Sequence, residues 1–159
     1  MKPFELAKSL QFYGSIVLRI PAEPVKEITS QTRLLIEEMS RLMTAFGAVG
    51  LAANQVGIIK RIIVIDWGVL SPKGANVKAM INPEIVQLSD EKELDMEGCL
   101  SLPGIGRKVS RSKNIKVKYL DETGTQQILD ITGLKARVVQ HEVDHLNGIL
   151  IIDKVMGPD

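Results

Sequence analysis

The chain has 159 residues, of which 45% are hydrophobic and 25% charged, with a formal net charge of +1. That fits one soluble globular domain with a sizeable core, and it argues against direct nucleic-acid binding or a membrane footprint. Aromatic content of 4% offers no base-stacking platform, and the single cysteine, Cys99, excludes an internal disulfide framework and suits the cytoplasm.

Residues 1–15 read as a leader of uncertain order to a single domain spanning 1–159, and Glu5 and Lys8 break any signal-peptide run. Ile16–Ile20 reads as a strand, followed by Pro21 and Pro24. A helix is expected from Thr29 or Ser30 to about Phe46, with Leu34, Leu35, Met39, Leu42, Met43 and Phe46 as its core stripe. The run Gly47–Gly57 is rich in small residues, but it lacks the Lys-Ser/Thr ending of a phosphate loop. Arg61–Trp67 is a buried-strand candidate and Ser71–Gly74 a turn. Lys78–Ile81 and Glu84–Leu88 read as two short strands, and Ser89–Asp95 as a solvated loop. Further strands are expected at Gly106–Ser110, Asn114–Leu120 and Gln126–Ile131, the last two joined as a hairpin through Asp121–Gly124. Gly133 opens a long helix that stops near Asn147-Gly148, and Ile149–Ile152 reads as a terminal strand. The fold class is α+β: mostly antiparallel β-sheets around a central H-E-x-x-H helix, plus an N-terminal helix.

Both histidines of the chain lie in that last helix, in His141-Glu-Val-Asp-His145. Imidazoles at i and i+4 sit about 40° apart around a helix axis and can share one metal ion, with Glu142 beside them as a candidate base. The bland alternative is a surface helix with an accidental pattern. A catalytic site wants a third protein ligand, yet the position six beyond His145 is Ile151 and no glutamate follows His145. Asp153 is conceivable, although the expected strand Ile149–Ile152 carries it away. Cys99, in a glycine-flanked loop beside Glu97, is the stronger candidate, against the reading of a small buried hydrophobe.

Three ordered segments together resemble the peptide deformylases: Ala48-Val-Gly-Leu-Ala-Ala-Asn-Gln55, Glu97-Gly-Cys-Leu-Ser101 and His141-Glu-Val-Asp-His145. The resemblance runs from about Ile16 to Asp153. It implies one divalent metal ion on Cys99, His141 and His145 with water in the fourth position, and Glu142 as general base and acid. The Gln55 side-chain amide and the Leu100 backbone N–H correspond to the oxyanion stabilisers. The implied reaction removes the formyl group from N-formyl-methionine at the start of newly made polypeptides and releases formate. Ferrous iron is the metal implied, with zinc, nickel or cobalt as substitutes.

Val49, Gly50 and Glu97 are expected to contact substrate. Leu134 and Val138 share a helix face with both histidines and are expected to line the methionine pocket. Glu97, Arg111 and Asp144 are expected to form a charge network in which the arginine bridges the two acids. Ala48 departs from the family's usual glycine: it would strain a backbone of positive φ, or its methyl would narrow the groove. The chain stops at Asp159, so the family's C-terminal ribosome-docking helix is not expected, leaving only transient proximity to the ribosome. The expected location is the cytoplasm of a bacterium, or of a bacterial host if the chain is phage-encoded. Two other readings are a metallopeptidase of the H-E-x-x-H type and an inactive deformylase-like binding module.

Overall fold

The computed structural model describes residues 3–68 and 76–154. Its helices are α1 (Pro3–Ala7), α2 (Ser30–Ala45) and α3 (Gly133–Leu146). Its strands are β1 (Gly50–Ala52), β2 (Ile62–Asp66), β3 (Val77–Leu88), β4 (Lys92–Glu97), β5 (Arg107–Ser112), β6 (Asn114–Leu120) and β7 (Gln126–Thr132). Single 3-10 turns lie at Ile16–Arg19, Ala53–Val56 and Ile151–Asp153. The turn expected at Ser71–Gly74 falls outside the described residues.

An antiparallel sheet of order β1-β2-β3-β6-β7 forms the middle layer, and β4 and β5 pair separately. Alternation along β2 explains how this sheet is covered on both faces. Ile63 and Ile65 pack with Val139, Val143 and Leu146 of α3, while Ile62 and Val64 pack with Met39, Leu42 and Met43 of α2. All five β2 residues are therefore buried. β2 reads as an apolar run from Ile62 to Ile65 because helices lie on both sides of it.

Thr29 caps α2, accepting from the Thr32 N–H while its own N–H donates to Thr32 Oγ1. The expected stripe needs correction at both ends, since Leu34 and Phe46 are exposed. Ile36 takes Leu34's place in the core. Phe46 lies beyond the last turn as the C-cap, where the chain turns towards β1. Leu6 of α1 is buried in the same cluster.

Four further expectations change. Lys78–Ile81 and Glu84–Leu88 belong to the single strand β3, whose pairing with β6 shifts register between Ile81 and Glu84. Asn82 has φ 52 there, and its side chain exchanges bonds of 2.8 and 2.9 Å with the Val25 backbone, so a bulge absorbs Asn82-Pro83. The run Ser89–Asp95, expected as loop, contains most of β4, which is exposed up to Glu97. The expected strands Ile16–Ile20 and Ile149–Ile152 are absent, and 3-10 turns at Ile16–Arg19 and Ile151–Asp153 overlap them instead. Leu18, Leu150 and Ile151 are buried together with Leu102 and Val109 in a small cluster, so single side chains of these runs are buried without any ladder, while Ile16 and Ile20 stay exposed.

α3 is held in place at its C-terminal end. The His145 carbonyl accepts from Asn54 Nδ2, and the Leu146 carbonyl from the Ala22 N–H (2.8 Å) and Arg61 Nη1 (3.3 Å). Carbonyls that a helix end leaves orphaned are thus satisfied by other segments. Gly148 follows with φ +74, and a Cβ there would come within 2.7 Å of the Arg19 carbonyl oxygen, so close backbone approach requires glycine.

Candidate active site

Helical geometry puts His141 and His145 on one face of α3, and the loop between β4 and β5 brings Cys99 to them. The ligand-capable atoms of Cys99, His141 and His145 all lie within 4.8 Å of one another, and Cys99 Sγ is 3.3 Å from His145 Nε2. A thiol and two imidazoles at this spacing fit a transition-metal ion of the zinc or ferrous type. Burial and the neighbouring His141 hold the His145 pKa well below its usual value, so this ring is neutral and able to ligate.

Glu142 is 4% exposed and lines a cavity of about 430 Å³ together with Cys99 and His141. Burial pushes its pKa up to about 7 against the opposing pull of His141. Its Oε2 and His145 Nδ1 are buried without a hydrogen-bond partner among the described residues. An unpartnered carboxyl oxygen on a residue that shares a cavity with Cys99 and His141 suits a group that handles a water's proton. Gly50 of β1 makes room for it, since a Cβ there would lie 2.7 Å from Glu142 Oε1 and 2.9 Å from Val138 Cγ1.

Gln55 is 2% exposed and lines the same cavity. Its Oε1 accepts from the Ala52 N–H at 2.9 Å, while Nε2 donates to Ser101 Oγ at 3.1 Å and lies 3.7 Å from Cys99 Sγ. The amide is thereby oriented from both ends, with its N–H side towards the cysteine loop. Leu100 lies between Cys99 and Ser101 and also lines the cavity. Sequence reasoning passed over Ser101, although it ends the same motif.

Glu97 is the hub of the buried charge network. Its Oε1 accepts from Arg111 Nη2 at 2.9 Å and from His141 Nδ1 at 2.7 Å. Its Oε2 accepts from Arg111 Nε at 3.0 Å and Arg137 Nη1 at 2.6 Å. Burial alone would raise this carboxyl, but the donors from His141 and Arg111 outweigh it and hold its pKa at about 2. Arg111 also donates to Asp144, so the structure brings Glu97, Arg111 and Asp144 together. The part expected of Glu97 in substrate contact needs restating: it borders the cavity, but both carboxylate oxygens are committed. Its geometric task is to orient His141.

Arg137 was not anticipated. It donates to Glu97, to the Val109 carbonyl (2.9 Å) and to the Glu93 carbonyl (2.7 Å), tying α3 to both β4 and β5. Its position four residues before His141, on the same helix face, was the available signal. Val49, Gly50, Leu134 and Val138 all line the cavity. Ala48 lines it too, and its φ is not positive, since among the described residues only Asn82 is a non-glycine with positive φ. Strain at Ala48 is therefore ruled out.

A thiol and an H-E-x-x-H helix around one buried point, over an open cavity, define a hydrolase class in which the carboxylate works beside a metal. The chain belongs to the peptide deformylase family: polypeptide deformylase is the family matched by residues 7–159. It is 48% identical over 143 residues to the peptide deformylase of Halothermothrix orenii, covering 90% of each chain. The structure is similar to the crystal structure of peptide deformylase from Thermotoga maritima, with TM-score 0.87, 43% identity, and 93% and 97% of the two chains covered. A Met-Ala-Ser-bound class I type b peptide deformylase from Acinetobacter baumannii is similar at TM-score 0.86 and 37% identity, covering 92% and 96%.

Proposed function

We infer that the protein hydrolyses the formyl amide of N-formyl-methionine at the amino end of newly made polypeptides, giving formate and a free amine. The observation that carries this reading is the clustering of Cys99, His141 and His145 beside the unpartnered Glu142 carboxyl, at a cavity large enough for a methionine side chain. A Met-Ala-Ser peptide, as held by the Acinetobacter relative, corresponds to the amine product of such a reaction.

In this reading Cys99, His141 and His145 hold one divalent ion, which when bound supplies Lewis acidity towards the formyl oxygen and lowers the pKa of water. Glu142 takes the proton of the attacking water and delivers it to the amine nitrogen as the C–N bond breaks. Gln55 Nε2 and the Leu100 N–H stabilise charge developing on the formyl oxygen, where loss of one donor costs about 3 kcal/mol of barrier. Leu134 and Val138 line the seat of the methionine side chain, with Val49 and Gly50 along the peptide backbone. Glu97, held by Arg111 and Arg137, keeps the His141 ring turned towards the ion.

Ferrous iron is the metal we propose for the cell. A Cys/His/His donor set also accepts zinc, nickel or cobalt, so anaerobic purification with metal analysis discriminates among them. Location in a bacterial cytoplasm, or in that of a phage's host, and work near the ribosome complete the proposal. The test is formate release from formyl-Met-Ala-Ser by anaerobically purified protein, beside acetyl-Met-Ala-Ser and a casein digest. Formate release without casein cleavage is expected, whereas casein cleavage without formate would contradict the reading.

A further inference from the structure

The turn Ala53–Val56 carries Gln55, and all four of its residues are buried. Ala53 and Val56 pack in the cluster that contains Met39, Leu42 and Met43 of α2. Asn54 reaches the other way, to α3, where its Nδ2 donates to the His145 carbonyl. Among the described residues no other hydrogen bond joins this turn directly to α3. The orientation of the amide follows from chemistry, because a carbonyl oxygen only accepts and so must face the NH2 end. Gln55 itself is held by the Gln11 N–H on its carbonyl (2.8 Å) and by Ser101 Oγ on its side chain, and neither of these belongs to α3.

Two features set this contact apart from an ordinary packing bond. Asn54 is 0% exposed, yet its Oδ1 has no hydrogen-bond partner among the described residues. The His145 carbonyl also accepts from the Gly148 N–H at 3.1 Å, so the helix end is not orphaned without Asn54. A buried amide with one end unpaired costs stability, and an apolar side chain of similar size would avoid that cost. What Asn54 adds is register, since it fastens the residue before Gln55 to the helix that carries His141, Glu142 and His145. On the deformylase reading, on which this inference rests, the Gln55 amide and these groups must meet at one formyl group. We propose that Asn54 is a positioning residue for the reaction. It sets the Gln55 amide at its working place relative to α3, and it affects the rate only through Gln55.

The test is a double-mutant cycle of Asn54→Leu and Gln55→Leu, read as kcat and KM for formate release from formyl-Met-Ala-Ser by metal-loaded protein. Metal content is measured on the same samples, and melting temperature on the metal-free protein. Asn54→Leu alone should lower kcat by about tenfold, with KM and metal content unchanged and the melting temperature unchanged or raised. In the Gln55→Leu background the same change should cost less than about twofold, because the amide that Asn54 positions is already gone. A merely structural Asn54 predicts a lower melting temperature and equal losses of kcat in both backgrounds. Equal losses, or an unchanged kcat in folded Asn54→Leu, would overturn the proposal while leaving the deformylase reading intact. Should Asn54→Leu not fold, Asn54→Ala, which only shortens the side chain, is read in the same way. No formate from the metal-loaded wild type would overturn the deformylase reading, and this inference with it.

Discussion

Glu142 and Gly50 share a space with no room to spare. A methyl group at Gly50 would meet the Glu142 carboxyl at 2.7 Å, so Gly50→Ala must displace the proposed base. Misplacing a catalytic group by about 1 Å can cost about a hundredfold. The variant should lose about that much kcat while keeping its metal content and most of its stability, as judged by formate assay, metal analysis and thermal melting; full activity would show that Glu142 does not need this position. Glu142 also predicts a pH dependence. It accepts a proton only when ionised, so kcat/KM should fall as pH drops through its pKa. Burial sets that pKa at about 7, and a dication alongside favours the ionised form, so the acid limb belongs below pH 7. Ala48 shows what residue identity alone leaves open: a possible backbone strain disappears once its φ is known.

Between the elements, the Glu97 network joins the cysteine loop to the histidine helix. Removing one partner of such a buried pair costs about 3–5 kcal/mol because the remaining charge is stranded, so Arg111→Met should lower stability in urea by about that amount. The Glu97 carboxyl lies at about 2 when folded against an ordinary 4.5, so its ionised form stabilises the fold above about pH 4.5. That contribution is lost as pH falls towards 2, and a Glu97→Gln variant should show a shallower acid decline in denaturation experiments across this range. Arg111 and Asp144 were legible because they accompany two of the motifs. Arg137 was not, since an arginine in an amphipathic helix reads as its wet face until the facing carboxylate is known. β4 escaped for a related reason. Its residues Lys92–Met96 are exposed and charged, and its strand character comes from pairing with β5 rather than from burial. The reverse error made strands of Ile16–Ile20 and Ile149–Ile152, where 3-10 turns at Ile16–Arg19 and Ile151–Asp153 bury only Leu18, Leu150 and Ile151 in a small cluster.

Across the whole molecule, the proposed ligands come from two distant parts of the chain, the β4–β5 loop and α3. A metal bound to both would join them, and ligand binding to the native state stabilises by about 3 kcal/mol at a hundredfold excess over Kd. Chelation should therefore lower the melting temperature measurably and reversibly; no change would argue against the Cys99–His141–His145 set. The antiparallel α+β layout was legible because β2, β6 and β7 carry clear strand patterns and a hairpin turn. The H-E-x-x-H pair was legible because one helix turn carries it. The third ligand candidate, Cys99, was legible from its Glu97–Ser101 motif and from the lack of other donors near the C-terminus, and the fold sets its sulfur 3.3 Å from His145. The most direct test of the account compares the metal-loaded wild type with Glu142→Gln in single-turnover formate release from formyl-Met-Ala-Ser, with metal content measured on the same samples. Equal metal with formate release slowed by about a thousandfold or more is the predicted result. Near-wild-type release by the metal-loaded variant would contradict it.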